Sequence, residues 1–360
     1  MKIGIAGAGQ LGRMLGLAAI PLGLKCEFLD TSDSAPAASV GPVRIGSLDD
    51  ADALLGLARD VDVLTPEIEN VSSEGLEAAA KQCFVAPPAR VVTAAQDRLS
   101  EKLLFESFGI PTARYDVVDS LQQAQALSID ANRPRLLKTR RLGYDGRGQR
   151  LVHSPQEAAA AFEELGSVPT IAEELVDFER EVSLIAVRGR SGELAFYPLC
   201  ENSHRDGILE TTIAPYEDEG LQARAELQVG RLMTDNHYVG VLTVEFFVVG
   251  DTLVANEMAP RVHNSGHWTI EGAQTSQFEN HIRAIAGLPL GSAAAREHAA
   301  MLNLVGAMPD RAAVLAVAGA HLHDYGKQPR PGRKLGHCTI VDPDRSRLLE
   351  RLASLRIAIS

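Results

Sequence analysis

Residues 241–267, VLTVEFFVVGDTLVANEMAPRVHNSGH, contain two apolar runs, and each run carries one glutamate. A glycine–aspartate pair separates two apolar runs, a pattern that predicts a β-hairpin. We expect a three-residue loop over residues 250–252, and this register places Glu245 directly opposite Glu257. A two-residue loop would place them on opposite faces, because side chains alternate along a strand.

A facing pair of carboxylates indicates a cation site. Like charges directly opposite each other destabilise a sheet, and buried charge is unfavourable unless it is paired. Hard oxygen ligands favour Mg²⁺, which typically takes one or two carboxylates plus substrate phosphates. Residues 258–267 are too polar for a core strand, so we expect an anion-handling loop beside the metal. The alternative is a pair of solvated glutamates on a strand edge.

A basic, glycine-rich stretch, RLLKTRRLGYDGRGQR, covers residues 135–150. Its six basic residues against one acid, Asp145, form a local anion trap in an acidic chain. Glycines in such a loop let backbone N–H groups approach a phosphate closely. Lys138 stands near the end of an apolar strand, at the base of this loop. The spacing is not that of a Walker A loop, and a solvated basic hairpin is the alternative.

The glycine pattern GAGQLG at residues 7–12 follows the apolar run KIGIA and precedes an apolar-periodic stretch to about Leu22. This order predicts strand, glycine turn and helix. With Asp30 further along, the turn fits a dinucleotide-binding fingerprint. A single phosphate at a helix N-terminus satisfies the same geometry. A nicotinamide-dependent oxidoreductase is therefore one alternative.

Composition narrows the class of protein. A chain of 360 residues predicts two or three subdomains. The formal net charge of -12 argues against a non-specific nucleic-acid binder. The four cysteines show no ligand-like spacing and are typical of free thiols in a reducing compartment. Without a signal-peptide layout or a long apolar run, we expect a cytoplasmic protein that does not span a membrane.

The order of predicted elements indicates an α/β protein of several domains. Strands and helices alternate over the first 90 or so residues, which predicts a parallel, doubly wound sheet. Pro87 and Pro88 form a natural boundary after it. Strands at residues 170–174, 181–187 and 194–198 predict an antiparallel sheet.

The glycine turn, the lysine-strand–glycine hairpin and the late glutamate pair together resemble the ATP-grasp superfamily. Within it, GYDGRGQ (143–149), NEMAPRVHNSGHWT (256–269) and GRKLGH (332–337) resemble the ATP-dependent 5-(carboxyamino)imidazole ribonucleotide synthases of purine biosynthesis. The resemblance covers essentially the whole chain. It implies an ATP-grasp fold with a Rossmann-like domain (1–96), an ATP-grasp domain (97–290, lid about 110–170) and a small β-rich C-terminal domain (291–360). A homodimer is also implied.

The resemblance implies ATP and Mg²⁺, or Mn²⁺ in its place, with Glu245 and Glu257 as the metal ligands. It does not decide which of the two linker glutamates contacts adenine. The implied ATP site comprises Arg98, Lys138, the lid residues Gly143, Tyr144, Asp145, Gly146, Arg147, Gly148 and Gln149, the adenine-side linker Glu173, Glu174, Leu175 and Val176, then Glu181 on the ribose, His204, Asn256 and Glu257.

The resemblance also implies a ribonucleotide site toward the N-terminal domain and a bicarbonate site beside it. Many ATP-grasp proteins have Asn two residues after the second metal-binding glutamate, where this chain has Ala259. Phosphate or water oxygens would therefore complete the coordination of the metal. The implied ribonucleotide ligands are Gln10, Leu11, Glu67, Asn264, Lys327, Arg333 and Lys334. The implied catalytic groups are Tyr144, Asp145, Arg147, Arg261, His263 and Lys334.

The implied reaction joins bicarbonate to 5-aminoimidazole ribonucleotide with cleavage of ATP, through carboxyphosphate. Asp145 would take a proton from the attacking amine or order the lid by pairing with Arg147. His267 and Trp268 are expected to be structural. Besides the oxidoreductase, two alternatives remain: a formate-dependent glycinamide ribonucleotide transformylase of the same superfamily, and a non-catalytic nucleotide-binding scaffold.

Overall fold

The computed structural model describes residues 1–143, 146 and 148–359. Its N-terminal part is a parallel sheet, as predicted, and it has five strands in the order β3-β2-β1-β4-β5. The short, partly exposed β3 was not predicted from the sequence. The elements are β1 Lys2–Ala6, α1 Gln10–Ala19, β2 Lys25–Asp30, β3 Val43–Ile45, α2 Ala51–Ala58, β4 Val63–Pro66, α3 Ser73–Ala79, β5 Phe84–Val85 and α4 Ala89–Ala95.

A second, four-stranded sheet has the strand order β6-β9-β7-β8, and we call it the lid sheet because it lies in the region for which the resemblance implies a lid. Helix α5 leads into it and begins at Asp97, whose side chain accepts the N–H groups of Leu99 and Ser100. The sequence-based grouping of residues 170–174 with the later antiparallel strands is wrong, since these residues pair only within the lid sheet. The elements are α5 Arg98–Ser107, β6 Tyr115–Val118, α6 Leu121–Gln125, β7 Arg135–Thr139, β8 Gln149–Val152, α7 Pro155–Glu164 and β9 Thr170–Glu174.

The largest sheet has the order β15-β14-β10-β12-β13-β16-β18-β17, with β11 beside β10. It continues without a break past residue 290, because β13 pairs with β16. The elements are β10 Arg180–Arg188, β11 Leu194–Phe196, β12 Cys200–Arg205, β13 Ile208–Ala214, α8 Glu219–Asp235, β14 Gly240–Val249, β15 Thr252–Ala259, α9 Thr269–Gly272, α10 Gln277–Ala286, β16 His298–Val305, α11 Arg311–Leu315, β17 Ala320–Asp324, β18 Lys334–Asp342 and α12 Arg345–Ile359.

The N-terminal sheet docks on the large sheet through an apolar core shared by α1 and α10. Leu15 from α1 and Ile282 from α10 belong to the same buried cluster. A buried hydrogen bond of 2.9 Å joins Thr65 on β4 to His281 on α10. The helix that follows the glycine turn is therefore packed against α10. Over the described part of the chain, no helix combines the length and apolarity needed to cross a bilayer.

Candidate active site

Glu245 on β14 lies directly opposite Glu257 on β15, as predicted, but the predicted loop is wrong. Val249 pairs with Thr252, so the loop holds two residues rather than three. A β-bulge then shifts the register between the turn and the glutamates, and Asn256 is the extra residue. The bulge, rather than the turn, brings the two carboxylates into register.

Glu245 is a largely buried carboxylate whose contacts include His263 and Ser183. Its side chain is 12% exposed and lies 3.7 Å from Nδ1 of His263. It also accepts a hydrogen bond of 3.4 Å from Ser183 Oγ. Burial holds the pKa of His263 well below its ordinary value, so this imidazole is neutral. Burial and the nearby Glu257 raise the pKa of Glu245 to about 7.

Glu257 is the more open member of the pair, with 43% of its side chain exposed, and Arg98 Nη1 lies 3.6 Å from its carboxylate. The donor set, two facing carboxylates with unbalanced negative charge, fits a hard divalent cation such as Mg²⁺. Among the described residues, no group of three or more His, Cys, Asp or Glu side chains is arranged to hold a metal ion. Such an ion would draw its other ligands from phosphate and water.

Two lysines share the buried carboxylate of Glu173. Lys138 on β7 lies 2.6 Å from one oxygen, and Lys102 on α5 lies 2.9 Å from the other. Burial alone would raise the pKa of Glu173, but the two ammonium groups hold it below its ordinary value. Burial lowers the pKa of Lys138. The Glu173 side chain is thus engaged with lysines, and an adenine contact at this position would use the backbone.

The glycine loop connects β7 to β8 at the open end of the lid sheet. Gly148 has a positive φ of 71°, and a Cβ there would lie 2.6 Å from Thr139 Oγ1, so only glycine fits. Gly146 also has a positive φ, and Arg98 donates to the Gly143 carbonyl over 3.5 Å. Tyr144, Asp145 and Arg147, which we predicted as lid and catalytic residues, lie outside the described residues.

The predicted linker begins within β9, which ends at Glu174, and the predicted ribose residue lies on β10. Glu174 lies 3.3 Å from Arg135, Leu175 is half-exposed, and Val176 continues the irregular linker. Glu181 on β10 forms a hydrogen bond with His204 on β12. Although burial lowers the pKa of His204, Glu181 and the other nearby carboxylates raise it above its ordinary value.

The glycine turn is filled by the protein's own Glu67. This carboxylate accepts the backbone N–H groups of Gly9, over 2.6 Å, and of Gly12. A Cβ at Gly9 would lie 2.5 Å from one Glu67 oxygen, and a Cβ at Gly12 would lie 2.6 Å from the other. Burial raises the pKa of Glu67 to about 7. A dinucleotide pyrophosphate has no room in this turn, which argues against the oxidoreductase alternative.

Arg261, predicted near bicarbonate, is held by Glu69 at 2.7 Å. This ion pair spans 192 residues of sequence. Burial lowers and Glu69 raises the pKa of Arg261, with a net rise, so the guanidinium stays charged. Next to it, His263 is within 2.9 Å of Ser265 Oγ. The anion-handling loop therefore presents one fixed cation beside a neutral imidazole.

The predicted ribonucleotide residues lie on both sides of the interface between the N-terminal sheet and the C-terminal basic stretch. Lys327 bonds to the side chain of Gln10, next to the buried Leu11. Burial and Arg333 lower the pKa of Lys327 to about 8. Arg333 Nη1 donates to the Gln328 carbonyl over 3.2 Å, and Lys334 begins β18.

Three predicted residues in the loop after β15 are engaged within the protein. The side-chain amide of Asn264 exchanges two hydrogen bonds, of 3.0 and 2.8 Å, with that of Asn303. His267 is fully buried against Phe278, and burial holds its pKa well below the ordinary value. Trp268 is fully buried, as expected for core packing.

Sequence reasoning missed Glu101 and Lys102 on α5. Glu101 is buried and accepts the backbone N–H of Met258 over 2.6 Å. Burial and the nearby Glu257 raise the pKa of Glu101 to about 8. The sequence did contain a signal for these two residues. Glu101 and Lys102 follow Arg98 by three and four residues, so in a helix all three lie on the same face.

Comparison with protein families matches nearly the whole chain in three segments. A ribonucleotide synthetase preATP-grasp domain model matches residues 1–96, and an ATP-grasp domain model matches residues 103–278. A phosphoribosylaminoimidazole carboxylase C-terminal domain model matches residues 299–351.

Curated relatives and solved structures are similar over their full lengths. The N5-carboxyaminoimidazole ribonucleotide synthase of Pseudomonas aeruginosa is 50% identical over 359 residues, covering 100% of this chain and 99% of that protein. The Brucella melitensis enzyme of the same name is 44% identical, covering 95% and 96%. The synthetase structure from Thermus thermophilus has a TM-score of 0.93 at 50% identity, covering 99% and 98%. An Aspergillus clavatus structure with ADP and 5-aminoimidazole ribonucleotide has a TM-score of 0.91 at 30% identity, covering 99% and 98%.

Proposed function

The chain belongs to the N5-carboxyaminoimidazole ribonucleotide synthase family of ATP-grasp ligases, and we propose that it carboxylates 5-aminoimidazole ribonucleotide with bicarbonate and ATP. The products are the 5-carboxyamino ribonucleotide, ADP and phosphate. The proposal rests on one observation: Glu245 and Glu257 face each other across neighbouring strands, next to Arg98. Two carboxylates and a guanidinium are the groups that a metal–nucleotide phosphate needs at one place.

The first chemical step makes bicarbonate reactive. Bicarbonate is a poor electrophile because it is negatively charged and its leaving group is hydroxide. One of its oxygens attacks the γ-phosphorus of ATP, the bond to the bridging oxygen breaks, and ADP leaves with the electron pair. This transfer depends mainly on positioning and charge neutralisation. Arg261, fixed by Glu69, supplies a charged donor for the bicarbonate, with His263 beside it.

The phosphate end of the nucleotide would lie between the metal carboxylates and the base of the lid. Glu245 and Glu257 would hold Mg²⁺, which when bound neutralises phosphate charge. Lys138 and Arg98 supply fixed positive charge from the lid sheet and from α5. Glu181 and His204 would hold the ribose side, and residues 173–176 the adenine side, with Asn256 at the bulge.

The second step forms the carbon–nitrogen bond. The amine of the ribonucleotide attacks the carbonyl carbon of carboxyphosphate, the carbon–oxygen bond to phosphate breaks, and phosphate leaves with the electron pair. The amine then loses a proton, and we assign Asp145 as its acceptor. Tyr144, Arg147 and Lys334 would surround the reacting atoms, and closure of the lid would exclude water from the labile intermediate.

The ribonucleotide would bind toward the glycine turn, with its 5′-phosphate at the C-terminal basic stretch. Lys327 already contacts Gln10 across this interface, so both sides can reach one ligand. The 5′-phosphate would be bound by Lys327, Arg333 and Lys334. The rest of the ribonucleotide would lie near Leu11, Glu67 and Asn264. Because Glu67 fills the glycine turn, the phosphate cannot use the N-terminus of α1.

ADP release in the presence and absence of each substrate tests the proposal. We expect Mg²⁺-dependent release only when 5-aminoimidazole ribonucleotide and bicarbonate are both present. Stimulation by glycinamide ribonucleotide and formate would instead identify the transformylase branch. The C-terminal carboxylase domain match at residues 299–351 favours the carboxylating branch. Asp145→Asn should keep bicarbonate-dependent ATP cleavage and lose the carboxyamino product, and unchanged product formation would exclude the assigned base.

The same proposal includes a homodimer and a cytoplasmic location. All four cysteines are free thiols, which is typical of a reducing compartment. Sedimentation equilibrium of the full chain tests the dimer, and a single species at the monomer mass would exclude it.

A further inference from the structure

Lys102, Glu173 and Lys138 form a buried chain of three charges between α5 and the lid sheet. The side chains are 3%, 8% and 9% exposed, respectively. Each carboxylate oxygen serves one lysine, at 2.9 Å for Lys102 and 2.6 Å for Lys138. The Lys102 ammonium also lies 5.5 Å from the centroid of the Tyr115 ring, which is a favourable cation–π distance. Lys102 is therefore enclosed by protein groups, whereas Lys138 stands at the base of the glycine loop.

The cluster carries an excess of one positive charge. Two ammonium groups share a single carboxylate, and a buried net charge is unfavourable unless an opposite charge neutralises it. Arg98, the next basic group, adds further positive charge and pairs with Glu257 rather than with Glu173. In the proposed reaction, a nucleotide phosphate is the anion that would neutralise this excess charge.

We propose that Lys102 is a positioning residue of the nucleotide site, which occupies half of the Glu173 carboxylate and so leaves the charge of Lys138 available to an ATP phosphate. This inference rests on the proposed ATP site. If Lys102 were absent, Glu173 and Lys138 would form a neutral buried pair, and the phosphate would meet no net charge there. The second oxygen of Glu173 would also lose the contact that fixes its orientation. Lys102 thus acts on the nucleotide through Glu173 and not by touching it.

Titration calorimetry with MgADP, which does not turn over, measures this effect directly. We expect Lys102→Met to raise the Kd for MgADP about tenfold, the size of one partly screened charge interaction. The double variant Lys102→Met/Glu173→Gln again has one net positive charge, on Lys138. We expect its Kd to return to within about threefold of wild type. Lys81→Met, which removes the same charge from an exposed site, should leave the Kd unchanged.

Steady-state kinetics distinguish positioning from a general loss of structure. Lys102→Met should raise the KM for ATP in parallel with the Kd, while kcat and the KM for the ribonucleotide change less than threefold. A merely structural role would lower kcat, and the double variant would then be worse than the single one. If Lys102→Met does not fold, the double variant is compared with wild type, because both carry one net positive charge at the cluster. Its Kd should then stay within about threefold of wild type.

Two results would overturn the inference. They are an unchanged Kd in Lys102→Met, and a double variant that binds MgADP about tenfold or more weaker than wild type. Failure of the wild-type protein to bind MgADP would instead remove the proposed ATP site itself. The two failures are therefore distinguishable in one set of titrations.

Discussion

Glu67 accepts the backbone N–H of Gly12 inside the glycine turn, so the anion at the start of α1 is a side chain of the protein itself. The turn has the glycine spacing of a dinucleotide site, because both arrangements require backbone N–H groups to approach an anion closely. The residue at position 67 decides which anion occupies the turn, although it is 55 residues away from Gly12 in sequence. This relationship separates the N-terminal domain from nicotinamide-binding domains with the same glycine pattern.

The Gly12→Ala variant tests whether the Glu67 carboxylate occupies the glycine turn. Alanine is favoured over glycine in a helix by about 1 kcal/mol. Here its Cβ would lie 2.6 Å from Glu67 Oε2 and 2.9 Å from the Gly7 carbonyl oxygen. We expect a net loss of about 1–3 kcal/mol in the free energy of unfolding, as for overpacking, and a raised KM for the ribonucleotide. Urea unfolding and initial rates measure the two effects.

Gly56→Ala in α2 is the matched control, because its Cβ would meet only Arg44, at 3.6 Å. We expect it to be neutral or to stabilise the protein by up to about 1 kcal/mol. If Gly12→Ala is as stable as this control, the carboxylate does not occupy the turn.

The buried carboxyl of Glu101 makes the metal-free protein less stable as pH rises. Its pKa is about 8 in the folded protein, against an ordinary 4.5. Between pH 4.5 and about pH 8, the Glu101 carboxyl is ionised in the unfolded chain and protonated in the folded protein. Stability from this group is therefore full below pH 4.5 and decreases, at about 1.4 kcal/mol per pH unit, as pH rises through this window.

Glu101→Gln should make that slope shallower by about 1.4 kcal/mol per pH unit, because glutamine can still accept the Met258 N–H but does not ionise. The slope that remains below about pH 7 comes from Glu67 and Glu245, whose pKa values are also raised to about 7. Urea unfolding between pH 5 and pH 8 in the presence of EDTA is the measurement. We expect the variant to be more stable than wild type at pH 8 and similar at pH 5. A slope as steep in the variant as in wild type, above pH 7 as well as below it, would assign the effect to another group.

Glu69→Gln should weaken bicarbonate binding through Arg261. The guanidinium lies 2.7 Å from the Glu69 carboxylate, which fixes its position. With a neutral partner the orientation loosens, and we expect the KM for bicarbonate to rise about tenfold, equivalent to about 1.4 kcal/mol. The KM for ATP should stay within twofold of wild type.

Glu279→Gln removes an equivalent partner from Arg283, on a helix surface, and should change neither constant. Equal behaviour of the two variants would mean that Arg261 does not contact bicarbonate.

Local signals in the sequence were enough for most helices and strands. The β14–β15 hairpin, for example, follows from two apolar runs around Gly250. The details that failed involve irregular backbone. The two-residue loop and the bulge at Asn256 compensate each other, so the facing glutamates were predicted correctly from an incorrect turn.

Contacts between distant segments could not be predicted from local pattern. Glu69 meets Arg261 across 192 residues, and Glu101 meets Met258 across 157 residues. Nothing in either local sequence specifies the other partner, because the fold as a whole brings them together. The site residues assigned by resemblance were inferred from the order of the family motifs in the sequence. Their contacts could be described only from the structure.

Glu257→Gln tests the central claim most directly. Glutamine keeps the size of the side chain and removes the charge that a divalent cation needs, so the repulsion with Glu245 also disappears. We expect Mg²⁺-dependent ADP release, with ribonucleotide and bicarbonate present, to fall at least about a thousandfold, equivalent to about 4 kcal/mol. Thermal stability without metal should be equal to wild type or higher, and Glu77→Gln, at an exposed site, should leave turnover unchanged. Turnover near the wild-type rate at millimolar Mg²⁺ would show that the facing carboxylates do not hold the metal.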